Sequence, residues 1–109
     1  MDSIPYAIDV ETLDAWRREG RDFVLLDVRE DWELAICRFE AALHIPLQQL
    51  PARAGEVPGD RPVVTVCHHG MRSAQAMQWL RRMDLAQAVN LEGGIDAWAR
   101  KIEPGMETY

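Results

Sequence analysis

Apolar residues fall in short blocks separated by polar turns. Phe23-Val24-Leu25-Leu26 and Pro62-Val63-Val64-Thr65-Val66 are continuous and largely β-branched or aromatic, the pattern of strands buried on both faces, and Ala88-Val89-Asn90-Leu91 is a third such block. Shorter extended pieces are predicted at Tyr6 to Ile8 and at Ala41 to Ile45, the latter closed by Pro46. Between them lie helical patterns. Thr12 to Glu19 is stopped by Gly20, and Glu30 to Leu34 opens with acids that favour a helix N-terminus. Met71 to Met83 places Ala74, Met77, Leu80 and Met83 at helical spacing, and Ile95 to Lys101 follows the tight turn Gly93-Gly94. Pro51 to Gly59 reads as helix fragments and loop. Trp16, Trp32, Trp79 and Trp98 all fall in helical segments and are expected to pack. Strands alternating with helices predict an α/β fold, a parallel sheet covered on both faces.

With 109 residues, 48% of them apolar and no repeat or linker, the chain reads as one domain, residues 1–109. The charge balance, 12 − 18 = −6, argues against nucleic acid or anionic lipid as partner, because either needs a basic face. No apolar run approaches the ~18 residues of a membrane span. Met1 to Pro5 carries neither a basic nor an apolar leader region, so a cytoplasmic protein is expected. Two cysteines, Cys37 and Cys67, with no C-x-x-C pair, make no disulfide framework and point to a free thiol.

Cys67 ends a predicted central strand, and ligands of open α/β sheets bind beyond such ends. The turn His68-His69-Gly70-Met71-Arg72-Ser73 can converge its amides on the sulfur, with Gly70 supplying dihedrals that other residues resist. A free thiol is only a few per cent ionised at neutral pH; lowering its pKa by ~2 units takes about 2.7 kcal/mol, which several N–H donors, a helix N-terminus and a guanidinium can supply. Such chemistry requires the thiol to meet solvent. Arg72 stands in the first helical turn, against the macrodipole, so an anionic partner is expected beside it. Arg61 to Met83 contains four arginines and no carboxylate, which suggests a segment kept positive.

Four ordered motifs resemble the single-domain rhodaneses, the thiosulfate-type sulfurtransferases. They are Leu25-Leu26-Asp27-Val28-Arg29-Glu30, His44-Ile45-Pro46, Cys67-His68-His69-Gly70-Met71-Arg72-Ser73 and Leu91-Glu92-Gly93-Gly94-Ile95-Asp96-Ala97-Trp98. The resemblance implies a single rhodanese-like domain with a parallel five-stranded sheet and an active loop, Cys67 to Arg72, that cradles a cysteine persulfide. It implies that Cys67 is the nucleophile, taking the outer sulfur of a small anionic donor such as thiosulfate, or of a persulfide. A thiol, cyanide or a sulfur-carrier protein would then accept that sulfur. His68 through Ser73 would stabilise the persulfide through their amides, Arg72 would bind or steer the donor, and Asp27 and Arg29 would give structural support. No cofactor is implied.

The chain departs from the family pattern at Cys37-Arg38-Phe39-Glu40-Ala41-Ala42, where Gly-His-Ile and then Gly-Ala are common. Neither Cys37 nor Ala41 takes positive φ as glycine does, which leaves the turn geometry open. Cys37 is expected to be a structural thiol and His44 a satisfied structural histidine. Adjacent His68 and His69 make the loop's charge depend on pH but do not suggest a metal site, since neighbours seldom aim at one ion. Two other functions fit the bare layout. A cysteine phosphatase or arsenate reductase is disfavoured because Cys67 and Arg72 enclose four residues, where phosphatase loops enclose five. A module relaying persulfide to a dedicated partner is the alternative from a different class.

Overall fold

Residues 5–109 are described in the computed structural model of the protein. Met1 to Ile4, part of the segment read above as carrying no leader, lie outside the described residues. Five strands, β1 (Ala7–Ile8), β2 (Val24–Asp27), β3 (Leu43–His44), β4 (Val63–Val66) and β5 (Ala88–Leu91), form one sheet in the order β1-β5-β4-β2-β3. Every pairing is parallel. The helices are α1 (Val10–Arg18), α2 (Asp31–Ile36), α3 (Leu50–Arg53), α4 (Met71–Arg82) and α5 (Gly94–Lys101), with 3-10 turns on either side of α3. The expected α/β architecture is what the chain adopts. Among the described residues no helix is long and apolar enough to cross a membrane.

Strand periodicity sorts the core into two layers. Val64, Val66, Val89 and Leu91 face α1 and α5 and pack with Leu13, Ile95 and Trp98. Leu26, Val28, Val63 and Ala88 face the other way and pack with Leu50, Met77 and Leu80 of α3 and α4. Cys37 belongs to the first layer and Cys67 to the second, so the sheet separates the two thiols. β4 is central, with β2 on one side and β5 on the other. Its carboxyl end is therefore flanked by the loops that follow both neighbours.

Three expectations need correction. α1 begins at Val10, two residues before the predicted start, because the Asp9 carboxylate caps it by accepting from the Thr12 amide at 2.8 Å. Trp32 is 62% exposed rather than packed, because α2 buries the neighbouring Glu33 instead. On α4 the buried residues are Ser73, Ala76, Met77 and Leu80, while Met83 is exposed.

The departure between Cys37 and Ala42 resolves into two cases. Cys37 is extended, at φ −157°, and needs no glycine. Ala41 stands at φ 59°, the left-handed region where a Cβ is crowded. Ala41 is exposed and leaves no cavity when trimmed, so Ala41→Gly is expected to stabilise the fold by about 1 kcal/mol. An unchanged urea midpoint would show that this turn carries no strain.

Candidate active site

Cys67 directly follows β4, and its sulfur accepts a hydrogen bond from the Gly70 amide at 3.0 Å. Gly70 is at φ 108°, and a Cβ there would stand 3.3 Å from the Gly93 nitrogen, so both the turn and the close approach favour glycine. The Ser73 hydroxyl lies 3.3 Å from the sulfur and also meets the Asn90 side-chain oxygen. Asn90 is oriented by its Nδ2, which donates to the Gly70 carbonyl at 3.1 Å. The Thr65 hydroxyl donates to the Ser73 carbonyl at 2.8 Å. Ser73 thus has one proton and two candidate acceptors, and ionisation of the thiol would draw that proton toward sulfur. Thr65 and Asn90 were legible only as strand residues; their pairing with Ser73 depends on how α4 lies on β4 and β5.

The amides of His68 to Ser73 do not all point at the thiol: among the described residues, Gly70 supplies the amide donor to it. Cys67 is also only 1% exposed, which corrects the expectation of a thiol open to solvent. The sulfur is seated inside the turn, at the edge of an apolar layer containing Leu26, Val28 and Ile45.

The anion expected beside Arg72 is Glu33, 39 positions away in sequence. Both Nη atoms of Arg72 donate to the two Glu33 oxygens, each at 2.7 Å. Glu33 is 2% exposed and also accepts from the Tyr109 hydroxyl at 2.7 Å and from the Glu30 amide at 2.9 Å. Burial pushes its carboxyl up, but the guanidinium, the Glu30 amide and the Tyr109 hydroxyl prevail and hold it down at about 2. Two of the four arginines in the segment expected to be positive are paired from outside it: Arg72 by Glu33, and Arg61 by Asp60 at 3.1 Å and Asp22 at 3.5 Å.

A second buried ion pair stands beside the first. Arg29 and Asp27 are both fully buried. Nε of Arg29 donates to Oδ1 at 2.9 Å and Nη2 to Oδ2 at 2.7 Å. Arg29 also donates to the Cys37 carbonyl at 2.9 Å and the Tyr109 hydroxyl oxygen at 3.0 Å. Tyr109 thereby joins the two pairs, a role that nothing in its sequence context suggested. Burial, outweighing the pull of Arg29, pushes its phenol up to about 12, so it stays protonated.

His68 stacks between His69 and Tyr109, with ring centroids 4.0 Å from each. Burial, then the neighbouring His69, lowers its pKa, which favours the neutral ring. His68, His69 and Asp96 place ligand atoms within 4.8 Å of one another. The rings are stacked at 26°, so their in-plane lone pairs run side by side, and Asp96 is held by Arg100 at 2.9 Å; this is poor geometry for a tetrahedral ion. His44 meets the Arg29 carbonyl at 2.6 Å through Nε2, a structural contact away from the thiol. Burial pushes the Cys37 thiol up, despite the opposing Arg29 charge.

A cysteine at the carboxyl end of the central strand, in a turn leading straight into a helix, is the layout of a rhodanese fold. The chain belongs to the family described as Rhodanese-like domain, which matches it over residues 9–101. It is 40% identical over 93 residues to a sulfurtransferase of Allochromatium vinosum, covering 85% of this chain and 87% of that protein. It is 36% identical over 96 residues to the probable adenylyltransferase/sulfurtransferase MoeZ of Mycobacterium tuberculosis, 86% of this chain but only 24% of that longer protein. A rhodanese-related protein of Thermoplasma volcanium has the same fold, with TM-score 0.82 and 28% identity over 92% of this chain and 96% of that one. The protein is a transferase of the rhodanese family, related to sulfurtransferases.

Proposed function

We propose that the protein moves sulfane sulfur through a persulfide on Cys67, from thiosulfate or a persulfide donor to a thiophilic acceptor. The observation that carries this reading is the Cys67 sulfur at a strand end with the Gly70 amide at 3.0 Å and the Ser73 hydroxyl at 3.3 Å. The Cys67 thiolate attacks the outer sulfur of the donor; a new S–S bond forms, the donor's S–S bond breaks, and sulfite or a thiolate leaves with the electron pair. The first amides of α4, at Met71, Arg72 and Ser73, have no carbonyl within the helix to bond. They are the donors that a second sulfur on Cys67 would engage, alongside those of His68 to Gly70. An acceptor thiolate or cyanide then takes the outer sulfur and restores Cys67.

Loading requires the turn to open, since the thiol is covered. Trp32 and Met71, 62% and 79% exposed, adjoin the paired residues Glu33 and Arg72 in sequence. Apolar side chains left bare there favour an acceptor with a surface of its own, a sulfur-carrier protein, over a small anion. The family likeness to MoeZ, an adenylyltransferase/sulfurtransferase by name, agrees with this reading.

Intact-mass measurement after treatment with thiosulfate, or with the hydropersulfide of 2-mercaptoethanol, tests the proposal. One added sulfur is expected, removed by cyanide and absent in Cys67→Ser. A gain that survives in Cys67→Ser, or no gain with either donor, overturns it.

A further inference from the structure

We propose that Glu33 is a specificity-determining residue that neutralises Arg72 and so selects a thiol persulfide, whose transferable sulfur carries at most one charge, over dianionic thiosulfate. This rests on the Cys67 persulfide reading above. The ion pair is bidentate, at 2.7 Å twice, and its carboxylate is nearly fully buried, so the guanidinium is not a free hand waiting for a donor. Glu33 is held from two further sides, by the Glu30 amide and the Tyr109 hydroxyl. Releasing Arg72 would leave a buried carboxylate without its counterion, which is strongly disfavoured.

The two ion pairs beside the site are each neutral within themselves. Asp27 cancels Arg29 and Glu33 cancels Arg72, while Tyr109 is neutral and burial favours the neutral form of His68. His69, exposed at the outer side of the stack, faces Asp96 at 3.6 Å, and Asp96 also holds Arg100. Arg72 stands five residues after Cys67, in the first turn of the helix that the sulfur's turn leads into, so its compensation alters the charge a donor meets there. A guanidinium already paired with a carboxylate, on a chain of net charge −6, offers thiosulfate little attraction to offset its loss of water. An alkyl hydropersulfide loses less. Its reaction balances without another reactant: the Cys67 thiolate bonds to the outer sulfur, the donor's S–S bond breaks, the thiolate R–S⁻ leaves, and the proton stays on the new persulfide.

The test compares kcat/KM for thiosulfate with kcat/KM for the hydropersulfide of 2-mercaptoethanol. The proteins are wild type, Glu33→Gln and the double variant Glu33→Gln with Arg72→Met, each checked for folding by thermal melting. Glu33→Gln leaves the Arg72 charge uncompensated; it is expected to raise the thiosulfate-to-persulfide ratio on the order of tenfold and to make thiosulfate turnover fall with added salt. The double variant removes both charges and is expected to return the ratio to within about threefold of wild type. A purely structural Glu33 would lower both donors together and leave the ratio alone, and that result overturns the inference. Where Glu33→Gln does not fold, wild type decides: flat salt dependence of thiosulfate turnover supports a neutral site, and a steep fall overturns it. Sulfur on Cys67 from the persulfide together with an unmoved ratio removes only the role of Glu33; no sulfur on Cys67 from either donor removes the persulfide reading and this one with it.

Discussion

Gly94→Ala is expected to unseat the active turn and cost about 3–5 kcal/mol, a melting point lower by roughly 15–25 °C in a domain of this size. Two independent effects add. Gly94 is at φ 62°, where an alanine is strained, and its Cβ would stand 2.4 Å from the His68 carbonyl oxygen and 2.5 Å from that of Cys67. Those are backbone atoms and cannot swing aside as a side chain would. They are also the acceptors through which α5 holds the turn: the Ile95 amide donates to the Cys67 carbonyl at 2.9 Å and the Asp96 amide to that of His68 at 3.1 Å. Sulfur loading of Cys67 should therefore slow even at temperatures where Gly94→Ala stays folded. Gly105→Ala, with open space around the added carbon, is the control and should melt as wild type does. A Gly94→Ala protein within 1 kcal/mol of wild type would mean that the contact between α5 and the turn is loose.

Arg29→Met is the second large effect, expected to cost about 3–5 kcal/mol. It leaves Asp27 fully buried without its counterion and removes the donor to the Cys37 carbonyl. The pair itself need not be worth that much, because burying both ions is costly too. Asp27→Asn with Arg29→Met should accordingly recover a good part of the loss. Urea unfolding of both single variants and the double measures this directly. A double variant no better than Arg29→Met would place the cost in the lost Cys37 and Tyr109 contacts instead.

What the sequence discloses here is local, and what it withholds is set by topology. β2, β4 and β5 stand within a residue of their predicted places because short, largely apolar blocks with β-branched residues and turn residues nearby favour strand over helix. Cys67 and its turn were legible for the same reason, since strand, glycine and helix lie within ten residues of one another. Arg72 signalled a missing anion through its place in the first turn of α4, but nothing local could name Glu33 as that anion. Their meeting depends on β2 lying next to β4, which brings α2 over the end of the central strand. Tyr109 is further still in sequence, 76 positions from Glu33, and its phenol shows no periodicity to read. Trp32 misled because a tryptophan in an amphipathic helix usually faces inward. Here the inward place belongs to a carboxylate, and the arginine opposite explains why that is tolerated.

The sheet is flanked on each side by a strand of only two residues, β1 and β3. A row of unsatisfied peptide groups that short is a poor template for a foreign strand. The long apolar segments, which would be sticky if laid bare, are all interior to the order. The native state should thus tolerate crowding, and clumping should begin only when unfolding releases β4.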